Sequence, residues 1–353
     1  MDENKLLDFE KPLLELNKKI EELESFMKEK NIDLSSEIKR LEKRAENVRE
    51  EIYNNLEPWQ ILKIARHPER PLTLDYIDQI TDEFIEFKGD RRFGNDQALV
   101  GGIGLIEDIP VTILGHQKGK DTKENINRNF GMAHPEGYRK AMRLMRQAEK
   151  FGRPVVNLIN TPGAYPGIGA EKRGQAEAIA TNLMEMSGLK TPIIVIITGE
   201  GGSGGALGIG LGDRIMMMEF SYYSVSSPEA CAAILWKNSD QAEEAAAALK
   251  LTAPDLMELG VIDKIIPEPA GGAHKDHKQA ADILKSEIIT AVKELSELSE
   301  EQMLKQRYSK FRDMGEHIIK PGAGKIRESM IEEDQEKQEQ DDKSLKRKNI
   351  QSK

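Results

Sequence analysis

Five glycines fall within the seven residues Gly199-Glu-Gly-Gly-Ser-Gly-Gly205, directly after the apolar run Ile193–Thr198 and before the small-residue run Ala206–Leu211. Each glycine in a helix interior costs about 1 kcal/mol relative to alanine, so this segment is a junction and not part of a regular element. A second junction, Thr161-Pro-Gly-Ala-Tyr-Pro-Gly167, follows the apolar run 154–160. Helical periodicity then returns in Ala176, Ile179, Ala180, Leu183 and Met186. Upstream, 99–106 and 111–115 read as strands either side of a turn at Glu107-Asp108. Pro135 opens a helix with Tyr138, Met142, Met145 and Ala148 on one face, and Arg214–Met218 reads as a further strand. Strand, glycine turn and helix thus recur from Pro58 to about residue 298, the pattern of an α/β domain.

Both flanks differ in texture. Between Ile20 and Ile52 apolar residues recur three and four apart, at Ile20, Leu23, Met27, Leu34, Ile38, Leu41, Ala45, Val48 and Ile52. The pattern predicts a helical hairpin broken at Lys30-Asn31-Ile32-Asp33, with Asp33 or Ser35 capping the second helix. Each run is short for a zipper, which favours a packing arm over a dedicated dimerisation coil. From Glu332 to Lys353 apolar residues nearly vanish, predicting a tail unable to offset its own ordering entropy. The expected division is an arm over 1–57, a domain over 58–320 and a charged tail over 321–353.

A net charge of −10 argues against a general phosphate-neutralising surface, so no specific nucleic-acid partner is expected. One cysteine, Cys231, excludes an internal disulfide and a multi-cysteine zinc site, and suits a reducing compartment. The residues MDENKLLDFE lack signal-peptide texture, and the longest apolar run, Pro192–Ile197, is far below the roughly 20 residues of a membrane span. A cytoplasmic location with no membrane contact is the expectation.

Three chemistries compete at the glycine-rich turn. As Gly199-x-Gly201-x-x-Gly204 with Glu219 downstream it matches a dinucleotide fingerprint, although that motif normally follows the first strand of its domain. As Gly201-x-Ser203-x-Gly205 it matches a nucleophile elbow, with Asp263 and His274 in the required order. Here His274 lies in a glycine-preceded polar stretch that looks too mobile to position a base. As an oxyanion hole it needs only backbone N–H groups, with Ser203 merely small, and the turn at 162–167 supplies a second donor set. An ordinary structural turn remains the bland alternative.

Other charged and aromatic residues admit plain readings. Lys118, Lys120, Lys123 and Arg128 suit phosphates or a solvated loop; Glu171 and Arg173 suit a helix start. His67 reads as a structural contact and Trp59 and Trp236 as core or interface aromatics. His274 and His277 lack further ligands for a metal, so none is expected in this chain.

Six blocks in order carry a resemblance: Ala65-Arg-His-Pro-Glu-Arg-Pro71, Gly115-His-Gln-Lys-Gly119, Arg128-Asn-Phe-Gly-Met132, Pro135-Glu-Gly-Tyr-Arg-Lys140 and the two glycine turns. Together they resemble the alpha-subunit family of bacterial acetyl-CoA carboxylase carboxyltransferases, over nearly all of the chain except the tail. The resemblance implies a crotonase-like (ClpP/crotonase) α/β fold of repeated ββα units, and an α2β2 assembly with a zinc-ribbon beta subunit. It implies transfer of a carboxyl group from carboxybiotin, on a biotin carboxyl carrier protein loaded by biotin carboxylase, to acetyl-CoA, giving malonyl-CoA for fatty acid synthesis. On this basis Gly204, Gly205, Gly163 and Ala164 are expected to hold the biotin oxyanion, with Gly201, Gly202 and Tyr165 lining the substrate and Lys118, Lys120 and Arg128 near CoA phosphates. Runner-up readings are a crotonase-type acyl-CoA hydrolase and a non-catalytic assembly scaffold. Departures from the family pattern are Asn160 in place of Asp, Ala230 in Glu229-Ala-Cys231 in place of Gly, and Asn95-Asp96 in place of a paired acid. The second matters if position 230 needs a positive φ.

Overall fold

The computed structural model describes residues 7–315, so the expected boundary at 320/321 and the charged tail lie outside the described residues. A 3-10 turn, Asp8–Glu10, leads into α1 (Lys11–Lys30) and α2 (Ser35–Asn54), which form a hairpin. Asn31 ends α1 in the left-handed conformation at φ 53°, and Asp33 Oδ1 accepts the Ser35 N–H at 3.0 Å. Leu13, Ile38 and Ala45 are buried. At the hairpin base Leu7 packs with Ile64 and Phe220, joined by Phe9, Tyr53 and Leu56.

Next come α3 (Pro58–Ala65), α4 (Thr73–Ile80), β1 (Glu83–Glu86), β2 (Leu99–Ile106) and β3 (Ile109–His116). These three strands pair antiparallel, and Glu107 makes the tight β2–β3 turn at φ 53°. After α5 (Thr122–Asn127) and a 3-10 turn at Asn129–Gly131 come α6 (Pro135–Lys150) and β4 (Val155–Thr161). Then follow α7 (Ile168–Lys172), α8 (Gln175–Gly188), β5 (Ile193–Gly202), α9 (Ser203–Leu207), β6 (Arg214–Met218) and β7 (Tyr222–Ser224). The remaining elements are α10 (Pro228–Leu235), α11 (Ala242–Ala248), α12 (Ala253–Glu258), β8 (Lys264–Ile266), α13 (His277–Ser296) and α14 (Glu300–Asp313).

Sheet order is β1-β2-β3-β4-β5-β6-β8, parallel from β3 onward, with β7 paired to the far end of β5. A sheet covered on both faces explains apolar runs without alternation, such as Ile193-Ile-Val-Ile-Ile197. Val156, Leu158, Ile194, Ile196, Met216 and Met218 pack with Tyr76, Ile77 and Ile80 of α4 and with Leu284, Ile288 and Val292 of α13. Their neighbours in sequence point to the other face, where α6 crosses β2 and β3 and packs on α8. The Asn157 amide on that face donates to Ile209 O at 2.8 Å.

Two expectations shift. The strand expected over Ile193–Thr198 runs on to Gly202, because Glu200–Gly202 pair with Tyr222–Ser224. Consequently the helix expected over Ala206–Leu211 begins earlier and covers Ser203–Leu207.

Candidate active site

Removing the side chains at 202 and 205 lets the two turns touch. A Cβ on Gly202 would lie 2.2 Å from Pro162 O, and one on Gly205 would lie 2.3 Å from Gly163 C and 2.6 Å from Ala164 N. Glycine is therefore required at both positions by backbone approach. Gly163 differs: it is buried, yet a Cβ there would meet nothing within 4 Å. One side of the second turn thus faces open space.

Ser203, Gly204 and Gly205 form the first turn of α9, where N–H groups have no intrahelical acceptor. In the second turn the Gly163 N–H donates to Thr161 Oγ1 at 3.1 Å, and the Tyr165 N–H to Ala133 O at 3.0 Å. The Gly163 N–H is thus already engaged, whereas no acceptor within the described residues is matched to the Ala164 N–H. Gly201 lies inside β5, where its Cβ would meet Tyr222 O at 3.0 Å, so its lack of side chain serves the β5–β7 pairing. Tyr165 stacks on His134 with ring centroids 4.3 Å apart, its C=O accepting Gln175 Nε2 at 3.0 Å. His134 is held in turn by Asp96, whose Oδ2 accepts its N–H at 2.7 Å.

Ser203 is exposed and sits at φ 49°, a conformation that costs a side-chain-bearing residue roughly 1 kcal/mol or more. This strain suits an elbow, but the elbow's partners do not assemble. Asp263 accepts the Ile215 N–H at 2.7 Å and pairs with Lys310 at the opposite end of the parallel strands. Ile215 pairs with Val195, eight residues before Ser203, which separates the two groups by roughly 25 Å along the strand. His274 is buried and stacked on His67 at 4.1 Å, not mobile as its sequence context suggests. Burial, with His67 and Lys275 beside it, presses its pKa to about 2, far too low for a general base near neutrality. The dinucleotide fingerprint fails as well, because Gly199 and Gly201 belong to an interior strand and Glu219 is engaged with the Glu268 N–H.

Charged residues gather beside the turns in a way the sequence did not reveal. Glu200, 6% exposed, accepts Arg66 Nε at 2.7 Å and the Tyr222 hydroxyl at 2.8 Å on Oε1, with Lys118 Nζ on Oε2. Burial raises its pKa, but the charges of Lys118 and Arg66 outweigh that and carry it to about 2. Lys118 is thus engaged with a carboxylate and does not belong to a freely solvated loop face. Lys120 pairs with Asp75 at 2.6 Å near the surface, and Arg128 with Glu124 at 2.8 Å while also donating to Gln97 O at 2.9 Å. Neither shares a contact with the turns.

His116 also escaped notice. Its ring is fully buried beside the Gly205 backbone without a hydrogen bond of ordinary geometry, and burial together with Lys118 presses its pKa to about 3. A neutral imidazole therefore backs the turn. Its only sequence signal was its place between Gly115 and Lys118 in a signature block.

The departures from the family pattern have local explanations. Asn160 Oδ1 accepts the Glu200 N–H at 3.2 Å, a role an Asp oxygen fills equally. Ala230 lies inside α10 and is not among the positive-φ residues, so alanine is unstrained there. Asn95 Oδ1 accepts from Lys140 Nζ at 2.9 Å.

Among the described residues, no group of three or more His, Cys, Asp or Glu could hold a metal ion, and no helix is long and apolar enough to cross a membrane.

A family model described as acetyl co-enzyme A carboxylase carboxyltransferase-like matches residues 6–315. The acetyl-coenzyme A carboxylase carboxyl transferase subunit alpha of Halalkalibacterium halodurans is 59% identical over 310 residues, covering 88% of this chain and 95% of the relative. That of Carboxydothermus hydrogenoformans is 56% identical over 319 residues, covering 90% and 99%. Among solved structures, a Pseudomonas malonate decarboxylase hetero-tetramer in complex with coenzyme A aligns with TM-score 0.55 at 15% identity, over 74% of this chain and 98% of that one. The fold is the crotonase-like α/β arrangement expected from the resemblance. Two converging glycine turns on that fold, with the match running through both, place the chain in the carboxyltransferase family of acetyl-CoA carboxylase alpha subunits, enzyme components that transfer a carboxyl group.

Proposed function

We propose that this chain supplies the biotin side of a shared active site that makes malonyl-CoA from acetyl-CoA, its partner being a zinc-ribbon beta subunit in an α2β2 assembly. The observation that carries this reading is the backbone contact of Gly202 and Gly205 with Pro162–Ala164, which brings two sets of N–H groups to one place. Carboxybiotin, brought by a biotin carboxyl carrier protein that biotin carboxylase has loaded, supplies a transferable carboxyl group whose departure leaves negative charge on the ureido oxygen.

Gly204, Gly205 and Ala164 are assigned to that oxygen, for their N–H groups remain open. Gly163 leaves room for the ring, and Gly202 keeps the turns in contact. Tyr165, fixed by His134 and Gln175, forms a wall beside the second turn. Each N–H in such a hole typically lowers a barrier by about 3 kcal/mol without needing a titrating group. That fits a site whose nearby histidine is buried neutral and whose nearby carboxylate is fully paired. Of the basic residues expected at CoA phosphates, Lys120 suits the role best, its side chain being 67% exposed. The enolate of acetyl-CoA falls to the partner subunit. The α1–α2 hairpin, Lys11–Asn54, serves as an arm on the domain that begins at residue 58, and a cytoplasmic setting is part of the same proposal.

The test is reverse transfer from malonyl-CoA to biocytin with purified chains. Turnover is expected when this chain and the beta subunit are mixed and not with either alone. Turnover by this chain alone would defeat the shared-site reading, and none in an assembled mixture would favour a scaffold.

A further inference from the structure

Glu200 lies where β5 changes partners. Ile194–Ile197 pair with β6, whereas Glu200–Gly202 pair with β7. At this fork one buried carboxylate gathers Arg66 from the end of α3, Lys118 from the loop after β3 and Tyr222 from β7. Arg66 extends the group to Glu229 of α10 at 2.5 Å and to the Tyr222 hydroxyl at 3.2 Å. The Glu200 main chain faces the other way, donating to Asn160 Oδ1 one residue before the second turn's Thr161. Through one residue, both glycine turns are tied to four separate segments.

Stability is a poor reason for such a cluster. A well-packed apolar set of equal volume commonly holds a fold as well as or better than a buried ion group, whereas a polar cluster fixes geometry. What this cluster fixes is the fork three residues upstream of Ser203, where the anion-facing helix turn begins. A displacement of about 1 Å in a catalytic group costs on the order of a hundredfold in rate.

We propose that Glu200 is a positioning residue for carboxyl transfer: its carboxylate, gripped by Arg66, Lys118 and Tyr222, sets the angle at which β5 presents Gly204 and Gly205 to the second turn. The inference rests on the reading of those turns as the anion site.

The test uses this chain assembled with its beta subunit, following reverse transfer from malonyl-CoA to biocytin. Glu200→Gln keeps the shape but turns an amide toward the Lys118 ammonium, and kcat is expected to fall at least tenfold while KM for both substrates stays within twofold. Tyr222→Phe removes one donor and leaves the charges, and should lower kcat severalfold with KM again unchanged. Because the two act as one unit, the double variant should be no slower than Glu200→Gln alone. A kcat for Glu200→Gln within twofold of wild type overturns the proposal, as does a raised KM at normal kcat, which would make Glu200 a substrate contact. Should Glu200→Gln fail to assemble, Tyr222→Phe decides, and an unchanged kcat there overturns the proposal. Gly205→Ala separates the two layers. Full turnover by that variant defeats the anion-site reading itself, whereas its loss alongside normal Glu200→Gln defeats the positioning role alone.

Discussion

Gly205 and Gly163 sit in contact yet should lose turnover on substitution for different reasons. At 205 even one methyl meets the backbone of Gly163 and Ala164 within 2.6 Å, so Gly205→Ala must part the turns. The expected outcome is a loss of turnover on the order of a hundredfold or more, the cost of misplacing an oxyanion donor, with beta-subunit binding retained. At 163 the methyl meets nothing within 4 Å, so Gly163→Ala should unfold within about 0.5 kcal/mol of wild type in denaturant. Its turnover should nevertheless fall, because the methyl enters the space assigned to the biotin ring. Normal activity in Gly163→Ala would move the ring elsewhere. Ser203 offers the complementary test: Ser203→Ala should keep transfer within a fewfold, and a fluorophosphonate should not label the wild-type chain. These glycines were legible in the sequence because close backbone approach is the main physical use of such a run. Glu200, Arg66 and Lys118 were not, since no spacing rule links residues 134 and 82 positions apart.

Among the elements, those with a strong period were readable and the short ones were not. The helix opened by Pro135 and the apolar strands β4, β5 and β6 follow from burial on one helix stripe or both sheet faces. Four-residue β1 and three-residue β7 and β8 carry too few side chains to show a period, and β7 in turn determines where β5 ends. Helix α14, which buries one apolar side chain, Met303, shows how a largely polar element is held by a buried charge. Arg307, 1% exposed, donates to both oxygens of Asp213 at 2.8 and 2.7 Å, and to the carbonyls of Met186, Leu189 and Thr191. Asp213 meanwhile accepts the Ile193 N–H at the start of β5. Arg307→Ala strands a buried carboxylate and three carbonyls, and should cost about 3–5 kcal/mol in urea unfolding. A loss below 1 kcal/mol would show that water replaces the guanidinium and that α14 is not pinned in this way.

Across the whole molecule, two uncharged histidines make stability depend on pH above the range where carboxylates usually do so. His116 and His274 have pKa values pressed from 6.5 to about 3 and about 2, chiefly by burial. The unfolded chain therefore binds protons at these two positions below pH 6.5 while the folded chain does not. Their contribution is complete above pH 6.5 and is lost as pH falls toward 3, at a limiting rate of about 1.4 kcal/mol per pH unit for each ring. Glu200, lowered from 4.5 to about 2, acts in the same direction, but its contribution is lost only below about pH 4.5. Asp96, raised by burial, opposes them. Urea unfolding at pH 7.5, 6.0 and 5.0 should therefore show falling stability already above pH 5, where Glu200 remains charged in both states. His274→Gln should lower stability at pH 7.5 by loss of the His67 stack, yet flatten the slope between pH 6.0 and 5.0 by close to one proton. Comparing slopes cancels Asp96, which is present in both proteins. An unchanged slope in the variant would mean that the His274 ring accepts a proton in the folded state, and that the stack with His67 opens in mild acid.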